Sequence, residues 1–256
     1  MSLDDFAPTG NRGRAPRPGE PVLLPAIAPG VTLWWSDLAH GADELARGAA
    51  WLSLAETDRA ARFGTEALRR KYTAGRSTLR AVLGGVLGVE PAAVAIRRGA
   101  RGRPELAGGP PALDFNISHT EGGAVIGIAH GLPTGRRIGV DVERQDRGLA
   151  ADRLARKFLS PDEQAELAGL DADGRRSRFL RYWTCKEAMS KATGDGLIAP
   201  FAALTVDLDD PLRLVAGPPP YVPARWRLHA IAALSGYFAT VALWHGDPGV
   251  TSAPRP

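Results

Sequence analysis

The chain has 256 residues, enough for one large domain or two small halves of about 100 residues each, and its 44% hydrophobic and 23% charged residues are those of an ordinary globular protein. No apolar run approaches the roughly 18 residues of a membrane span. The start Met1-Ser2-Leu3-Asp4-Asp5 is acidic where a secretory leader would be basic, and the lone Cys185 excludes an internal disulfide, so the chain reads as a cytoplasmic protein. With 32 basic against 28 acidic residues the net charge is only +4, but arginines and lysines gather at 69–71, 76, 80, 97–98, 101 and 103, which suits a polyanionic ligand, an acidic partner or nucleic acid.

Residues 1–30 carry six prolines and no helical or strand period, which predicts an irregular arm. Val31 to Trp35 reads as a first strand. Asp43 to Phe63 reads as a helix, with Leu45, Ala49, Leu52 and Ala60 at helical intervals, and Glu66 to Leu87 as a long helix with the stripe Leu68, Tyr72, Leu79, Val82, Leu83 and Val86. Val94 to Ile96 is a short strand, 99–111 a Gly/Pro-rich turn, and Asp114 to Ile117 a strand ending at Ser118-His119. Ala124 to Ala129 and Arg137 to Val142 read as a hairpin across the turn 131–135.

A helix follows from Ala151. Ser160-Pro161-Asp162-Glu163 then carries an N-cap serine, a first-turn proline and a capping-box glutamate, so Glu163 is read as a cap. A long helix from Arg175 to Ala192 stops at Gly194, and three strands complete the chain at Ala203 to Leu208, Arg225 to Leu234 and Gly236 to Trp244. Helices followed by strands occur twice. The expected fold is therefore α+β in two similar halves, 31–135 and 136–245, between an arm (1–30) and a loose tail (246–256).

Two stretches carry chemistry. In Ile138-Gly139-Val140-Asp141-Val142-Glu143 the strand period puts Asp141 and Glu143 on one face and Ile138, Val140 and Val142 on the other. In Trp183-Thr184-Cys185-Lys186-Glu187-Ala188-Met189-Ser190-Lys191, Glu187 and Lys191 lie one helical turn apart. Three carboxylates suit a hard divalent cation, and the lysine suits a phosphate bound to it. Taken singly, each element has a plain reading: a solvated strand edge, a surface ion pair, a packed cysteine. Trp183 and Phe179 read as core, and His40, His130, His229 and His245 as ordinary histidines without ligand spacing.

The order of these stretches, with Phe115-Asn116-Ile117-Ser118-His119 and Phe158-Leu159-Ser160-Pro161-Asp162-Glu163, resembles the phosphopantetheinyl transferases, specifically the longer, Sfp-type branch that modifies carrier proteins of peptide and polyketide synthases. The resemblance covers roughly residues 50–200. It implies halves related by a pseudo-twofold, a monomer, and transfer of 4′-phosphopantetheine from coenzyme A to a serine of an apo acyl or peptidyl carrier protein, with release of 3′,5′-ADP. It also implies Mg2+ held by Asp141, Glu143 and Glu187, with Glu187 as base. Lys191 and His119 are implied at the pyrophosphate with Ser118 alongside, and Lys186 at the pyrophosphate or in solvent. Arg59, Arg76 and Arg103, with Ser77, are the nearest counterparts of the 3′-phosphate contacts, although Glu56 stands where other members can place a base. Neither nucleic acid nor membrane is implied as a partner. Three rivals remain: a basic nucleic-acid binder, an inactive carrier-binding module, and a metal phosphohydrolase.

Overall fold

The structure is a computed structural model that describes residues 19–99, 101–108, 110, 112–131 and 135–246. The expected arm up to residue 18, the tail beyond 246 and the centre of the 131–135 turn lie outside the described residues. In chain order the elements are β1 (Val22–Leu23), β2 (Val31–Ser36), α1 (Ala42–Ala49), α2 (Leu54–Ala61), α3 (Glu66–Leu87), β3 (Ile96–Arg98), β4 (Pro104–Leu106), β5 (Asp114–Thr120), β6 (Gly123–Ala129) and β7 (Arg136–Arg144). They continue with α4 (Ala151–Phe158), α5 (Pro161–Ala168), α6 (Ala172–Thr193), β8 (Thr205–Asp207), β9 (Arg213–Ala216), β10 (Trp226–Ala230) and β11 (Tyr237–His245).

This is a mixed α+β fold. One antiparallel sheet runs β1-β2-β6-β5 and a second runs β10-β11-β7, with β3-β4 and β8-β9 as small ribbons. Each large sheet is backed by one 22-residue helix. Leu79, Val82, Leu83 and Val86 of α3 pack on Trp34, Phe115, Ile126 and Ile128 of the first sheet, and Tyr182, Cys185 and Met189 of α6 pack on Trp226, Leu228 and Ala242 of the second. The helices are delimited by side chains: Thr65 caps α3 and Asp171 caps α6, and both end on a left-handed glycine, Gly88 and Gly194. A third cluster joins the sheets, with Val31, Leu33, Val125 and Ala129 facing Ile138, Val140, Val142, Ala239 and Val241.

Several expectations need correction. The helix expected over 43–63 is two helices, because the Ser53 side chain accepts from the Glu56 amide while Glu56 returns to the Ser53 amide, starting a new helix at Leu54. Order begins before Val31, since Val22 and Leu23 pair with Trp35 and Trp34. Leu68, expected in the apolar stripe, is 48% exposed. β6 and β7 do not form a hairpin. β6 lies between β2 and β5, whereas β7 pairs with β11 across the sequence.

The join between the sheets positions the site. Along β5, every second residue turns toward β7. Asp114 accepts from the Ile138 amide at 2.8 Å, Asn116 accepts from the Val140 amide at 3.0 Å, Ser118 donates to Asp141 at 2.8 Å and Thr120 donates to Glu143 at 3.4 Å. Strand alternation thus satisfies the edge of one sheet with side chains from the other. On the opposite flank β7 lies directly against α6. A Cβ on Gly139 would collide with the Ala188 carbonyl and the Ala192 amide, so only glycine lets the strand come this close to the helix.

Candidate active site

Gly139 and the alternation of β7 bring Asp141 under the last turns of α6, where Lys191 projects. The Lys191 Nζ donates to Asp141 Oδ1 at 2.5 Å and to Ser118 Oγ at 2.7 Å, and Ser118 Oγ itself donates to Asp141 Oδ1. Asp141 is buried, and its second oxygen, Oδ2, has no partner; nor does the buried Oε1 of Glu187, one helical turn before Lys191. An unpartnered buried carboxylate oxygen costs on the order of 1–3 kcal/mol, so two at one place call for a cation.

The charges of these groups are felt mutually. Burial first, then Asp141 and Glu143, push the Glu187 carboxyl up to about 7 against the opposing charge of Lys191. Glu143 is likewise pushed up by burial and Asp141, while Arg147, its ion-pair partner, and Lys191 pull it down. Concentrated negative charge raises carboxylate pKa values in this way whenever no cation offsets it. The donor set therefore fits a hard divalent ion: Asp141, Glu143 and Glu187 offer oxygens only, and two of those are unpartnered. They do not yet form a closed ligand set, since among the described residues no three His, Cys, Asp or Glu side chains converge on one point.

Around the corner of β5, His119 and Glu143 line a polar cleft of about 510 Å³ with Lys71, Thr120, Glu121, Arg144, Asp146 and Arg147. The His119 ring lies against α3, where a Cβ on Gly75 would sit 2.5 Å from its Nε2. Desolvation by the cleft walls, followed by the charges of Lys191, Arg76 and Lys71, pushes its pKa down to about 4. His119 is nevertheless an exposed residue, so water offsets part of the desolvation while the three cations act in the same direction. His119 is thus neutral at pH 7, a hydrogen-bond donor rather than a cation.

The other sequence-derived candidates divide sharply. Lys186 does not face the cleft. It is wholly buried, with its Nζ bonded to Glu163 at 2.5 Å and to the carbonyls of Phe158, Phe201 and Leu204 at 3.0, 2.8 and 2.8 Å. Glu163 is a cap, as expected, and also the counter-ion of that lysine. Ser77 is buried, its hydroxyl on the Ala74 carbonyl and its side chain under Gly48 of α1, so it reaches no ligand. Arg103 is buried in bonds to Asp114 and to main-chain carbonyls. Arg59 is exposed on α2 and does not line the cleft. Only Arg76 keeps a place beside it: held 3.6 Å from Glu56, it lies close enough to His119 to depress its pKa.

Sequence reasoning named Lys71 only as part of a basic cluster and passed over Arg144 and Arg147 as ligands, although all three line the cleft. The last two were legible in principle, since they follow Glu143 on the same strand and turn. Cys185 is buried beside Thr240 with its thiol pushed up to about 11 by desolvation, which suits packing and not nucleophilic attack.

Two family models match the chain: the 4′-phosphopantetheinyl transferase superfamily over residues 137–242, and the N-terminal region of a 4′-phosphopantetheinyl transferase over residues 39–130. The chain is 39% identical over 180 residues to the 4′-phosphopantetheinyl transferase HetI of Nostoc sp., covering 70% of this chain and 74% of that one. It is 26% identical to a 4′-phosphopantetheinyl transferase of Bacillus subtilis, covering 69% and 75%. It is also 33% identical to the 4′-phosphopantetheinyl transferase Sfp of Bacillus subtilis strain 168, there covering only 38% and 41%.

Proposed function

Because the chain belongs to the 4′-phosphopantetheinyl transferase superfamily, we propose that the meeting of β5, β7 and α6 is the place where it performs the family's reaction. The enzyme transfers the 4′-phosphopantetheine group of coenzyme A to a serine of an apo carrier protein. The serine oxygen bonds to the phosphorus nearer pantetheine, the bond from that phosphorus to the departing 3′,5′-ADP oxygen breaks, and the hydroxyl proton goes to a base. The observation that carries the site assignment is the pair of unpartnered buried oxygens, on Asp141 and Glu187, flanking the Lys191 ammonium.

Asp141, Glu143 and Glu187 would hold a magnesium ion, which when bound neutralises charge on the pyrophosphate. Glu187, whose carboxyl is pushed up by burial and by Asp141 and Glu143 in the metal-free site, would accept the serine proton in its ionised form. Lys191, only 26% exposed in its side chain, can exchange its bond to Asp141 for one to the leaving phosphate as a compact, mobile charge. His119 donates a hydrogen bond to a phosphate oxygen without adding charge. Lys71, Arg76, Arg144 and Arg147 receive the remaining phosphates, replacing the roles first assigned to Arg59, Ser77, Arg103 and Lys186.

The matches to Sfp, HetI and the B. subtilis enzyme support the Sfp-type branch acting on acyl or peptidyl carriers; that the enzyme works as a cytoplasmic monomer is part of the same proposal. Among the described residues no helix is long and apolar enough to cross a membrane. The test is intact-mass spectrometry of an apo carrier protein incubated with the enzyme, coenzyme A and magnesium. The expected result is one phosphopantetheinyl mass added to the carrier, lost on chelation of the metal. An unchanged carrier mass, with coenzyme A either intact or hydrolysed, would overturn the reading in favour of a binding module or a phosphohydrolase.

A further inference from the structure

We propose that Arg103 is a positioning residue of this active site, a buried guanidinium that fixes the C-terminal end of α6, and with it Lys191 and Glu187, against β5 and β7. The inference rests on the transferase reading above. Arg103 Nε donates to the Lys191 carbonyl at 2.9 Å. Its Nη2 donates to the carbonyls of Ile138 and Phe115 at 2.8 and 3.0 Å and to Asp114 Oδ2 at 2.7 Å, and its Nη1 donates to Asp114 Oδ1 at 3.0 Å and to the Pro104 carbonyl at 3.4 Å. Every nitrogen of the fork is occupied, so none is left for a phosphate.

The choice of acceptors matters more than their number. The Lys191 carbonyl belongs to the last turn of α6, where carbonyls have no partner within the helix, and a cation there also complements the helix dipole. A Cβ on Gly194, which ends the helix, would sit 3.8 Å from the Arg103 stem. The Ile138 peptide is gripped on both sides, its carbonyl by Arg103 and its amide by Asp114, three residues before Asp141 on the same strand. One side chain thus spans the β4 turn, β5, β7 and the helix that carries Glu187 and Lys191. Lysine could not replace it, because a single ammonium cannot pair with both carboxylate oxygens of Asp114 and at the same time reach the separately placed carbonyls of Pro104, Phe115, Ile138 and Lys191. A displacement of α6 by about 1 Å would cost on the order of 100-fold in rate, since Lys191 must pass from Asp141 to the leaving phosphate within the reach of one side chain.

The test compares wild type with Arg103→Lys and with the charge-neutral pair Arg103→Met/Asp114→Asn, using coenzyme A and 3′-dephospho-coenzyme A with the same apo carrier. We expect both variants to fold, kcat to fall at least tenfold on either substrate and further in the double variant. KM for coenzyme A should stay within twofold, and the preference for coenzyme A over its dephospho form should be unchanged. In the wild type, a dicarbonyl reagent should leave Arg103 unmodified with or without 3′,5′-ADP. The assignment is overturned by a rise in KM with kcat retained, by loss of the preference between the two substrates, or by Arg103 modification that 3′,5′-ADP prevents. Full kcat in a folded Arg103→Lys also overturns it, as does collapse of both variants, which would make the guanidinium a requirement of folding only. A wild type that transfers nothing sinks the transferase reading itself, and the inference with it.

Discussion

Lys186 and Lys191 leave the same helix five residues apart, and each places its ammonium 2.5 Å from a carboxylate, yet the two ion pairs do opposite things. The Lys186–Glu163 pair is closed. The ammonium has three carbonyls besides its carboxylate, and Glu163 accepts from the amides of Ser160 and Val206, so burial, which pulls the lysine pKa down and pushes the glutamate up, is offset by bonds on every side. The Lys191–Asp141 pair is open: it keeps one exposed side, a serine as its further partner, and unpartnered oxygens on Asp141 and on nearby Glu187. Saturation, and not charge or distance, separates a pair that holds the fold from one that can exchange partners with a substrate.

The largest effect that would sharpen this contrast is on the closed pair. Lys186→Met leaves the Glu163 carboxylate buried without its counter-ion and is expected to cost about 3–5 kcal/mol, enough to unfold much of the protein in a denaturant titration. Adding Glu163→Gln to it should recover a substantial part of that loss, and no recovery would mean the pair is not the source. The open pair should behave in reverse. Lys191→Met is expected to lower kcat on the order of 100-fold while costing less stability than Lys186→Met, because Ser118 still donates to Asp141 and the site keeps an exposed side; a collapse of stability like that of Lys186→Met would erase the distinction.

The pH response follows from the raised Glu187 carboxyl. As a base it must be ionised, so activity should fall on the acid side, with the limb nearest about 7 at limiting magnesium and moving to lower pH as magnesium increases. A limb independent of magnesium would remove Glu187 from the metal site. The smallest effect concerns His119, expected near 4 because the cleft and its cations disfavour the imidazolium. Its ring signals, followed by NMR, should titrate near 4 in the free protein and at higher pH once 3′,5′-ADP brings phosphate beside it; an unmoved titration would place the nucleotide elsewhere.

Much of this site was legible in the sequence because it depends on local periodicity. Asp141 with Glu143, and Glu187 with Lys191, share faces by strand and helix geometry alone, and the structure keeps each pair on one side of its element. The same geometry would have removed Lys186. Adjacent helical residues point about 100° apart, so Lys186 and Glu187 cannot both face the cleft, and Lys186 instead shares the buried face of Tyr182 and Met189. Arg76 and Ser77 divide in the same way on α3.

What could not be read was tertiary. Nothing in Gly102-Arg103-Pro104 announces acceptors 35 and 88 residues away. The wrong hairpin has a similar cause: β6 and β7 have equally apolar patterns, and only the Gly139 contact with α6 and the β5 side chains on its edge fix β7 in the other sheet. The split of the 43–63 helix was missed despite a local signal, Ser53 and Glu56 at capping-box spacing.

Glu187→Gln tests the central claim most directly, because activity and stability should part. A carboxyl whose folded pKa is raised to about 7 lends stability that is full below the unfolded value and lost as pH rises through 7, so its ionised form burdens the metal-free protein at pH 8. Read by intact mass of the carrier and by a melting curve at that pH without magnesium, the variant is predicted to add no phosphopantetheine over the wild-type time course and to melt at or above the wild-type temperature. Carrier conversion at close to the wild-type rate would contradict the account.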